Sequence, residues 1–155
     1  MTQRIYACAC LACLLGIWPK TASASLGGDA SSVDADRVHA QGALLRITGV
    51  GPYTVHEMQA ASGTVLREYS SSTGQVFGVA WQGPWMPDLQ QLLGAYFERY
   101  QAAVRAAQAG RRGHGPLVID TPELVVRMGG HPRAFFGNAY LPALVPQGMQ
   151  AQSIR

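Results

Sequence analysis

The sequence predicts an α+β fold, in which an antiparallel sheet carries one long amphipathic helix and a short N-terminal helix. Residues 53–81 alternate apolar and polar side chains and contain two turns with glycine, which is typical of a three-stranded meander. Residues 89–104 repeat apolar side chains every three or four positions, which is typical of an amphipathic helix. Residues 124–140 predict a C-terminal hairpin that completes the sheet.

The N-terminus has the features of a secretory signal peptide. Arg4 precedes an unbroken apolar run from Ile5 to Ile17, and the small residues Thr21-Ala22-Ser23-Ala24 follow it. We therefore expect cleavage near Ala24 and a protein that is periplasmic or secreted. Residues 1–24 are then the signal peptide, and residues 25–155 form one globular domain with a flexible start and an irregular C-terminal tail.

Two other interpretations of this N-terminus fit the sequence less well. The apolar run contains 13 residues, whereas a transmembrane helix needs about 20. The triplet Cys10-Leu11-Ala12 before Cys13 does not match a lipoprotein signal, and the apolar run continues past it. The sequence therefore predicts no transmembrane anchor after cleavage and no lipid anchor.

Composition restricts the classes of function. Cys8, Cys10 and Cys13 all lie in the signal peptide, so the rest of the chain has no disulfide, no thiol nucleophile and no cysteine metal site. Residues 25–155 contain ten arginines, no lysine and nine acidic residues, a net charge of about +1. Nucleic-acid binding needs a clustered basic face, so this balance predicts no nucleic-acid partner.

The first half of the domain predicts a helix and then the meander. Ser31-Ser32-Val33-Asp34 combines a serine cap with a carboxylate, which predicts a short helix from Ser32 to Gln41. Alternation and β-branched residues then predict strands from Tyr53 to Met58, from Thr64 to Tyr69 and from Gln75 to Trp81.

Pro87 and Asp88 predict the start of the long helix, since proline suits a first helical turn and a carboxylate is favourable at the positive end of the helix dipole. We expect this helix to end near Gln108, to lie across the sheet and to be followed by an exposed loop over residues 109–116. Its apolar stripe consists of Leu89, Leu92, Leu93, Tyr96, Phe97, Tyr100 and Val104.

The C-terminal hairpin is predicted from two strands and a glycine pair. Leu124 to Met128 forms the first strand, Gly129-Gly130 the turn, and Arg133 to Tyr140 the returning strand. Pro132 indicates an edge position, because it cannot donate a ladder hydrogen bond. Prolines and a glycine after Leu141 predict the irregular tail.

Several strings of this sequence carry a resemblance to a known family. The strings are Tyr53-Thr54-Val55-His56-Glu57-Met58, Ser62-Gly63-Thr64-Val65, Arg67-Glu68-Tyr69, Val76-Phe77-Gly78-Val79-Ala80-Trp81, Pro87-Asp88-Leu89, Leu92-Leu93-Gly94 and Arg133-Ala134-Phe135. With these strings the sequence resembles an uncharacterised exported family of Gram-negative bacteria, domain-of-unknown-function family twenty-eight forty-four. The resemblance covers nearly all of residues 26–155 and implies an exported single-domain protein, without an assigned activity.

The motifs of metal and nucleophile chemistry are missing or incomplete. His56-Glu57-Met58-Gln59-Ala60 begins like a zinc-protease motif, but Ala60 replaces the second histidine and a strand would separate the two ligands by more than about 10 Å. The spacing of His114 and His131 does not bring them together, and no nucleophile elbow occurs. We assign no catalytic, cofactor-binding or metal-ligating residue and expect no cofactor.

Surface recognition remains as the function that the sequence favours. We predict a non-enzymatic envelope protein that binds a protein partner or a small ligand through the sheet or its edge. The residue types suited to binding surfaces are His131, Arg133, Arg127, Trp85, Tyr140 and His56. For the tryptophans a structural role is the stronger interpretation, with Trp81 in the core and Trp85 as a plug between strand and helix.

Two alternative functions stay open. One is an exported hydrolase that uses His131 or His56 with a nearby carboxylate, and the other is an inhibitor of an envelope enzyme. The hydrolase requires the imidazoles and carboxylates to line one pocket. Its candidate carboxylates are Asp120, Glu123, Glu57 and Glu68, of which Glu57 and Glu68 are expected to be adjacent across a hairpin and exposed.

Overall fold

A seven-stranded antiparallel sheet forms the centre of the computed structural model, which describes residues 26–29, 43–110 and 115–155. The strand order is β1-β2-β3-β4-β7-β6-β5, so only β4 and β7 pair across a long connection. The α+β class, the meander and the C-terminal hairpin are confirmed. The strands are β1 Ala43–Val50, β2 Tyr53–Gln59, β3 Val65–Ser71, β4 Val76–Gly83, β5 Leu117–Asp120, β6 Val125–His131 and β7 Ala134–Tyr140.

One long helical segment covers one face of the sheet, here called the helix face. It consists of α1 (Leu89–Leu93), a 3₁₀ turn (Gly94–Tyr96) and α2 (Phe97–Gly110). The Asp88 carboxylate caps α1 by accepting hydrogen bonds from the Gln90 and Gln91 amides. Gly94, at φ 48° and ψ −121°, interrupts the predicted continuous helix.

The apolar stripe of this segment packs on the helix face. Leu93 is fully buried, and Phe97 and Tyr100 are partly buried. The Tyr100 hydroxyl donates a hydrogen bond to Met128 Sδ at 3.6 Å, and burial raises the pKa of Tyr100 above its ordinary value. Other buried residues of this core are Leu26, Met58, Leu66, Val76, Val79, Trp81, Leu92, Ile119, Leu124, Val126, Ala139 and Leu141.

The C-terminal tail covers part of the opposite face, here called the tail face. Residues 141–155 are irregular as predicted, apart from the 3₁₀ turns Pro142–Leu144 and Ala151–Ser153. Ile154 is fully buried against Gly78, where an added Cβ would lie 2.9 Å from Ile154 Cδ1. The tail therefore makes a second core on the sheet, with Tyr69, Phe77, Ala80, Val125 and Tyr140.

The hairpin turn lies three residues later than the glycine pair predicts. Gly129 pairs with Phe136 and Gly130 with Phe135, so both glycines belong to β6. The predicted turn at Gly129-Gly130 is therefore wrong, and residues 132–133 connect the strands instead. Arg133 has a φ of +70° in this connection, a conformation that a tight turn requires and that most residues avoid.

Two strands carry no signal in the sequence. Every residue of β1 is exposed, so alternation does not distinguish a buried side. β5 has four residues, too few to show a period. These strands form the two edges of the sheet.

The N-terminal predictions fall largely outside the described residues. The signal peptide and the short helix from Ser32 to Gln41 lie in residues 1–25 and 30–42, for which no structure is described. Of the predicted flexible start, residues 26–29 contact the core: the Leu26 amide donates to the Leu92 carbonyl at 3.0 Å, and the Gly27 amide to the Val76 carbonyl at 2.8 Å. In the described part of the chain, no helix combines the length and the apolar character that a bilayer-spanning segment needs.

Candidate functional site

The six predicted surface residues lie in different places. Trp85 follows β4 and is 62% exposed, so the predicted plug between strand and helix is wrong. Thr64 holds only the backbone of Trp85, because its hydroxyl donates to the Trp85 carbonyl at 2.8 Å. Tyr140 is 7% exposed within the core under the tail. Its ring is therefore withdrawn from the surface.

His56 lies on the helix face of β2 and is opposite Glu68 of β3. Its Nε2 lies 3.3 Å from the Ser70 hydroxyl. Ser70 is 2% exposed and Glu68 is 1% exposed. These three side chains are of the types that serve as nucleophile, base and acid, but the hydroxyl is buried among the described residues.

The predicted adjacency of Glu57 and Glu68 is wrong. Glu57 pairs with Arg67, and Glu68 pairs with His56, so the two carboxylates point to opposite faces of the sheet. The prediction that Glu68 is exposed is also wrong, since the helix face buries it. Glu57 forms an ion pair with Arg67, with its Oε2 2.6 Å from Arg67 Nε.

The other candidate acid–base residues are spread over the surface. Asp120 and Glu123 lie at one end of β6, next to its first residue Val125, whereas His131 ends the strand. His131 lies six positions along β6 from Val125, which corresponds to about 20 Å. His131 is exposed, and its Nδ1 lies 3.2 Å from the Pro132 carbonyl. The structure therefore does not gather these residues into one pocket.

Within the described ranges, no three side chains of His, Cys, Asp and Glu lie close enough together to hold a metal ion. His114 falls in residues 111–114, outside those ranges. The described part of the chain thus offers no metal centre from which to derive chemistry.

A row of side chains, polar in five of the seven strands, crosses the tail face. Each residue of the row is the register partner of the next, so the side chains project on the same face. Arginines recur along this row, with carboxylate and amide groups between them. In strand order the row is Arg46, Glu57, Arg67, Ala80, Asn138, Arg127 and Val118.

The end of the tail is fastened beside this row. The Arg155 carbonyl oxygen accepts hydrogen bonds from Arg67 Nη1 at 3.2 Å and from the Tyr69 hydroxyl at 3.0 Å. Asn138 Nδ2 donates to the Ile154 carbonyl at 2.8 Å. These bonds hold Ile154 and Arg155 in place on the sheet, and Arg155 lines a concavity on each side.

The first concavity, here called the apolar groove, has a volume of about 550 Å³ and lies over β4, β7, β6 and β5. Phe136 and Val118, 52% and 55% exposed, are its apolar side chains on the tail face. In each strand, the residues between these positions point their side chains to the helix face. They therefore line the bottom of the groove with backbone atoms. Its lining is Trp81, Gln82, Pro116, Leu117, Val118, Arg127, Met128, Phe136, Gly137, Asn138 and Arg155.

Asn138 is incompletely satisfied in this groove. Its Nδ2 bonds to the tail, but its Oδ1 is buried and has no donor among the described residues. An unmade bond of this kind costs about 1 to 3 kcal/mol. Such atoms often mark places where a water or a ligand completes the structure.

The second concavity, here called the arginine groove, has a volume of about 520 Å³ over β1 to β4. It shares Gln82 and Arg155 with the apolar groove, so the two grooves adjoin at β4. Its lining is Arg46, Thr48, Val50, Val55, Glu57, Arg67, Tyr69, Gln82, Ser153 and Arg155. A smaller pocket of about 340 Å³ near the β6–β7 turn includes His131, Arg133, Gln82 and Phe136 in its lining.

Comparison with protein families identifies the group to which this sequence belongs. A family model described as "Protein of unknown function (DUF2844)" matches residues 22–154. The chain is a member of the DUF2844 family. This match confirms the resemblance predicted from the sequence. No curated protein and no solved structure matches the chain.

The sequence indicates only part of the site of this DUF2844 chain. It singles out Arg127, which lies in the apolar groove, and His131 and Arg133, which lie in the smaller pocket. It misses Asn138 and Phe136, although their spacing of two residues in β7 is a signal that both face one side of the sheet. The full row depends on register between strands that are distant in sequence, such as the pair of Ala80 and Asn138, 58 positions apart, which a single sequence does not reveal.

Proposed function

We propose that this DUF2844 protein is a non-enzymatic binding module that takes a small ligand in the apolar groove. The observation that supports the proposal is the groove itself. Its volume of about 550 Å³ lies within the range of about 300 to 1,000 Å³ for small-molecule sites. Exposed apolar side chains stand beside a few polar groups there, a combination that favours a ligand with an apolar body.

The positions of the candidate catalytic residues also favour a binding function. The Ser70 hydroxyl is buried, and His131 is about 20 Å from the carboxylates at the far end of β6. A binding function needs neither a free nucleophile nor a positioned base. It needs an open concavity with apolar surface, which Phe136 and Val118 supply.

Binding of small neutral molecules tests the proposal. We expect benzyl alcohol and cyclohexanol to shift the amide resonances of residues along β5 to β7, together with the side-chain amide of Asn138. That side chain is a specific probe, because Asn138 is the only asparagine in the sequence. Shifts confined to other parts of the molecule, or none at millimolar ligand, would refute the proposal.

A matched pair of substitutions makes the test specific. Val118 and Ile47 are 55% and 56% exposed, and both lie on edge strands, β5 and β1. Val118→Asp should weaken binding of both alcohols, since it places a charge on the groove wall. Ile47→Asp adds the same charge outside the groove and should leave binding unchanged.

The exposed edge strand supports a second candidate, a protein partner that adds a strand to β1. All eight residues of β1 are exposed, and Leu45 and Ile47 are more than half exposed. Unpaired edge strands are sites for strand addition. A photo-crosslinking amino acid at Ile47 should then capture one defined protein in cells. The same group at Gln101 on α2 should not, and absence of any product at Ile47 would refute this candidate.

We also propose that the protein is exported and acts in the cell envelope. The charged start, the apolar run and the small residues before Ser25 support cleavage near Ala24. Mass spectrometry of the periplasmic protein should give a chain that begins near Ser25. An intact Met1 in a cytosolic protein would contradict it.

A further inference from the structure

The arginines at the border of the tail carry unused hydrogen-bonding capacity. In the described part of the chain, the Arg127 guanidinium has one charged neighbour, Asp120 Oδ2, at 3.8 Å. This distance is too long for a hydrogen bond, and both side chains are at least 41% exposed. The fork of Arg127 therefore remains available to another acceptor.

Arg155 is available in a similar way. Its backbone is held by Tyr69 and Arg67, so the residue has a fixed position. Its guanidinium has no hydrogen bond or ion pair within the described ranges, and it borders both grooves. The lining of the apolar groove thus includes two arginines and no aspartate or glutamate side chain.

The neighbouring arginine groove extends the positive charge. Arg46 and Arg67 line it with Arg155, and Glu57 is the one acidic side chain in its lining. Glu57 is already bonded to Arg67. The excess positive charge of the tail face therefore continues from Arg127 past the tail end to Arg46, which favours an anion at the point where the grooves meet.

We propose that the ligand of this site is a small amphipathic anion, with its apolar body on Phe136 and Val118 and its oxyanion group between Arg127 and Arg155. This inference rests on the proposed function, because it names the chemical class of the ligand for the apolar groove. A guanidinium can hold a carboxylate or a phosphate through paired charge-assisted hydrogen bonds. A cationic ligand would meet two arginines and no acidic side chain in the lining.

Four probes separate the two parts of the proposed ligand. Octanoate has both an apolar body and an oxyanion, 1-octanol has the body alone, acetate has the oxyanion alone, and octyl phosphate replaces the carboxylate. Binding is measured by titration of the full protein, following the Asn138 side-chain amide and the backbone amides of β5 to β7. We expect octanoate or octyl phosphate to bind at least about tenfold more tightly than 1-octanol and acetate, since hydrogen bonds to charged groups contribute at this scale.

Substitutions then assign the anion to the arginines. Arg127→Gln should weaken binding of the tighter anion by about tenfold and leave 1-octanol unchanged. Arg105→Gln removes the same charge from the exposed side of α2 and should change neither. Phe136→Ala should weaken the anion and 1-octanol by the same factor. Arg155→Gln keeps the backbone bonds of Arg155 and provides a second test should Arg127→Gln fold poorly.

Each of the following results would refute a stated part of the proposal. Equal affinities for 1-octanol and both amphipathic anions, unaffected by either arginine substitution, would refute the inference and leave the proposed function standing. Acetate binding as tightly as octanoate would refute the need for an apolar body. No shift in the apolar groove with any of the four probes would refute both the inference and the proposed function.

Discussion

The contact between Gly137 and Trp81 gives the sharpest prediction about stability. Gly137 lies on β7 opposite Trp81 of β4, and the indole ring covers it on the helix face. An added Cβ at Gly137 would lie 2.3 Å from Trp81 Cζ2, 2.7 Å from Cε2 and 2.9 Å from the Arg127 carbonyl oxygen. Trp81 is 2% exposed, so the ring is packed within the core and a new Cβ would displace it from its buried position.

Gly137→Ala should therefore destabilise the protein strongly. Overpacking a core costs about 1 to 3 kcal/mol, and an overlap of more than 1 Å with an immobile ring places this case near the upper end. We expect a decrease of about 3 kcal/mol in the free energy of unfolding, or about 10 °C in Tm for a chain of this size. Urea denaturation followed by circular dichroism measures the change.

Two variants make the reasoning falsifiable. Gly49→Ala lies in an exposed strand with nothing within 4 Å of the new Cβ, so its stability should stay within about 0.5 kcal/mol of wild type. Trp81→Leu removes both clashing ring atoms, so Trp81→Leu with Gly137→Ala should cost at least about 1 kcal/mol less than the sum of the single changes. A neutral Gly137→Ala, or strict additivity in the double variant, would refute the proposed clash.

Three further predictions concern the helix and the surface. Leu93→Ala should lower the free energy of unfolding by about 2 to 5 kcal/mol, since the side chain is fully buried; a loss below about 1 kcal/mol in urea would contradict this packing. Trp85→Ala should change stability by less than about 0.5 kcal/mol, because the ring is 62% exposed, and a larger loss of Tm would show that the ring packs. The raised pKa of Tyr100 predicts a stabilising contribution that is complete below pH of about 10 and is lost as pH rises through the higher pKa of the folded state. Tyr100→Phe should lack that part of the alkaline decrease in Tm, whereas an identical pH profile would contradict it.

The predictable part of the fold is the part in which burial differs between the two sides of an element. Leu93 and its helical neighbours repeat with the period of the helix, so a local pattern identifies that face. β4 is buried on both sides, and its β-branched and aromatic residues identify it instead. β1 gives no such pattern, because solvent reaches all of its residues. Gly129 and Gly130 show a different limit of prediction from the sequence. Two consecutive glycines suit a turn, but they are also required where β6 approaches β7 closely. A Cβ at Gly130 would lie 2.2 Å from the Ala134 carbonyl oxygen.

The site was less predictable than the fold for a related reason. Whether a polar residue in a strand is exposed depends on what packs on that face, and Glu68 is buried although Glu57, in the next strand, is partly exposed. The relation between Arg127 and Arg155 depends on how the tail lies on the sheet. Tail residues such as Ile154 give no periodic signal, yet the contact of Ile154 with Gly78 helps to hold the tail there.

The strand order has a consequence for how the chain reaches its native state. β1 to β4 pair with sequence neighbours, as do β5 to β7, so each group closes through short connections. Joining the groups requires β4 to meet β7, and Gly83 and Phe135 at one end of that junction are 52 positions apart. Closing a loop of this length costs conformational entropy before the contacts between β4 and β7 can compensate for it. The apolar groove spans this junction, and a molecule seated there contacts both groups of strands. A ligand bound in the apolar groove would therefore slow the separation of β1–β4 from β5–β7, as well as fill the groove.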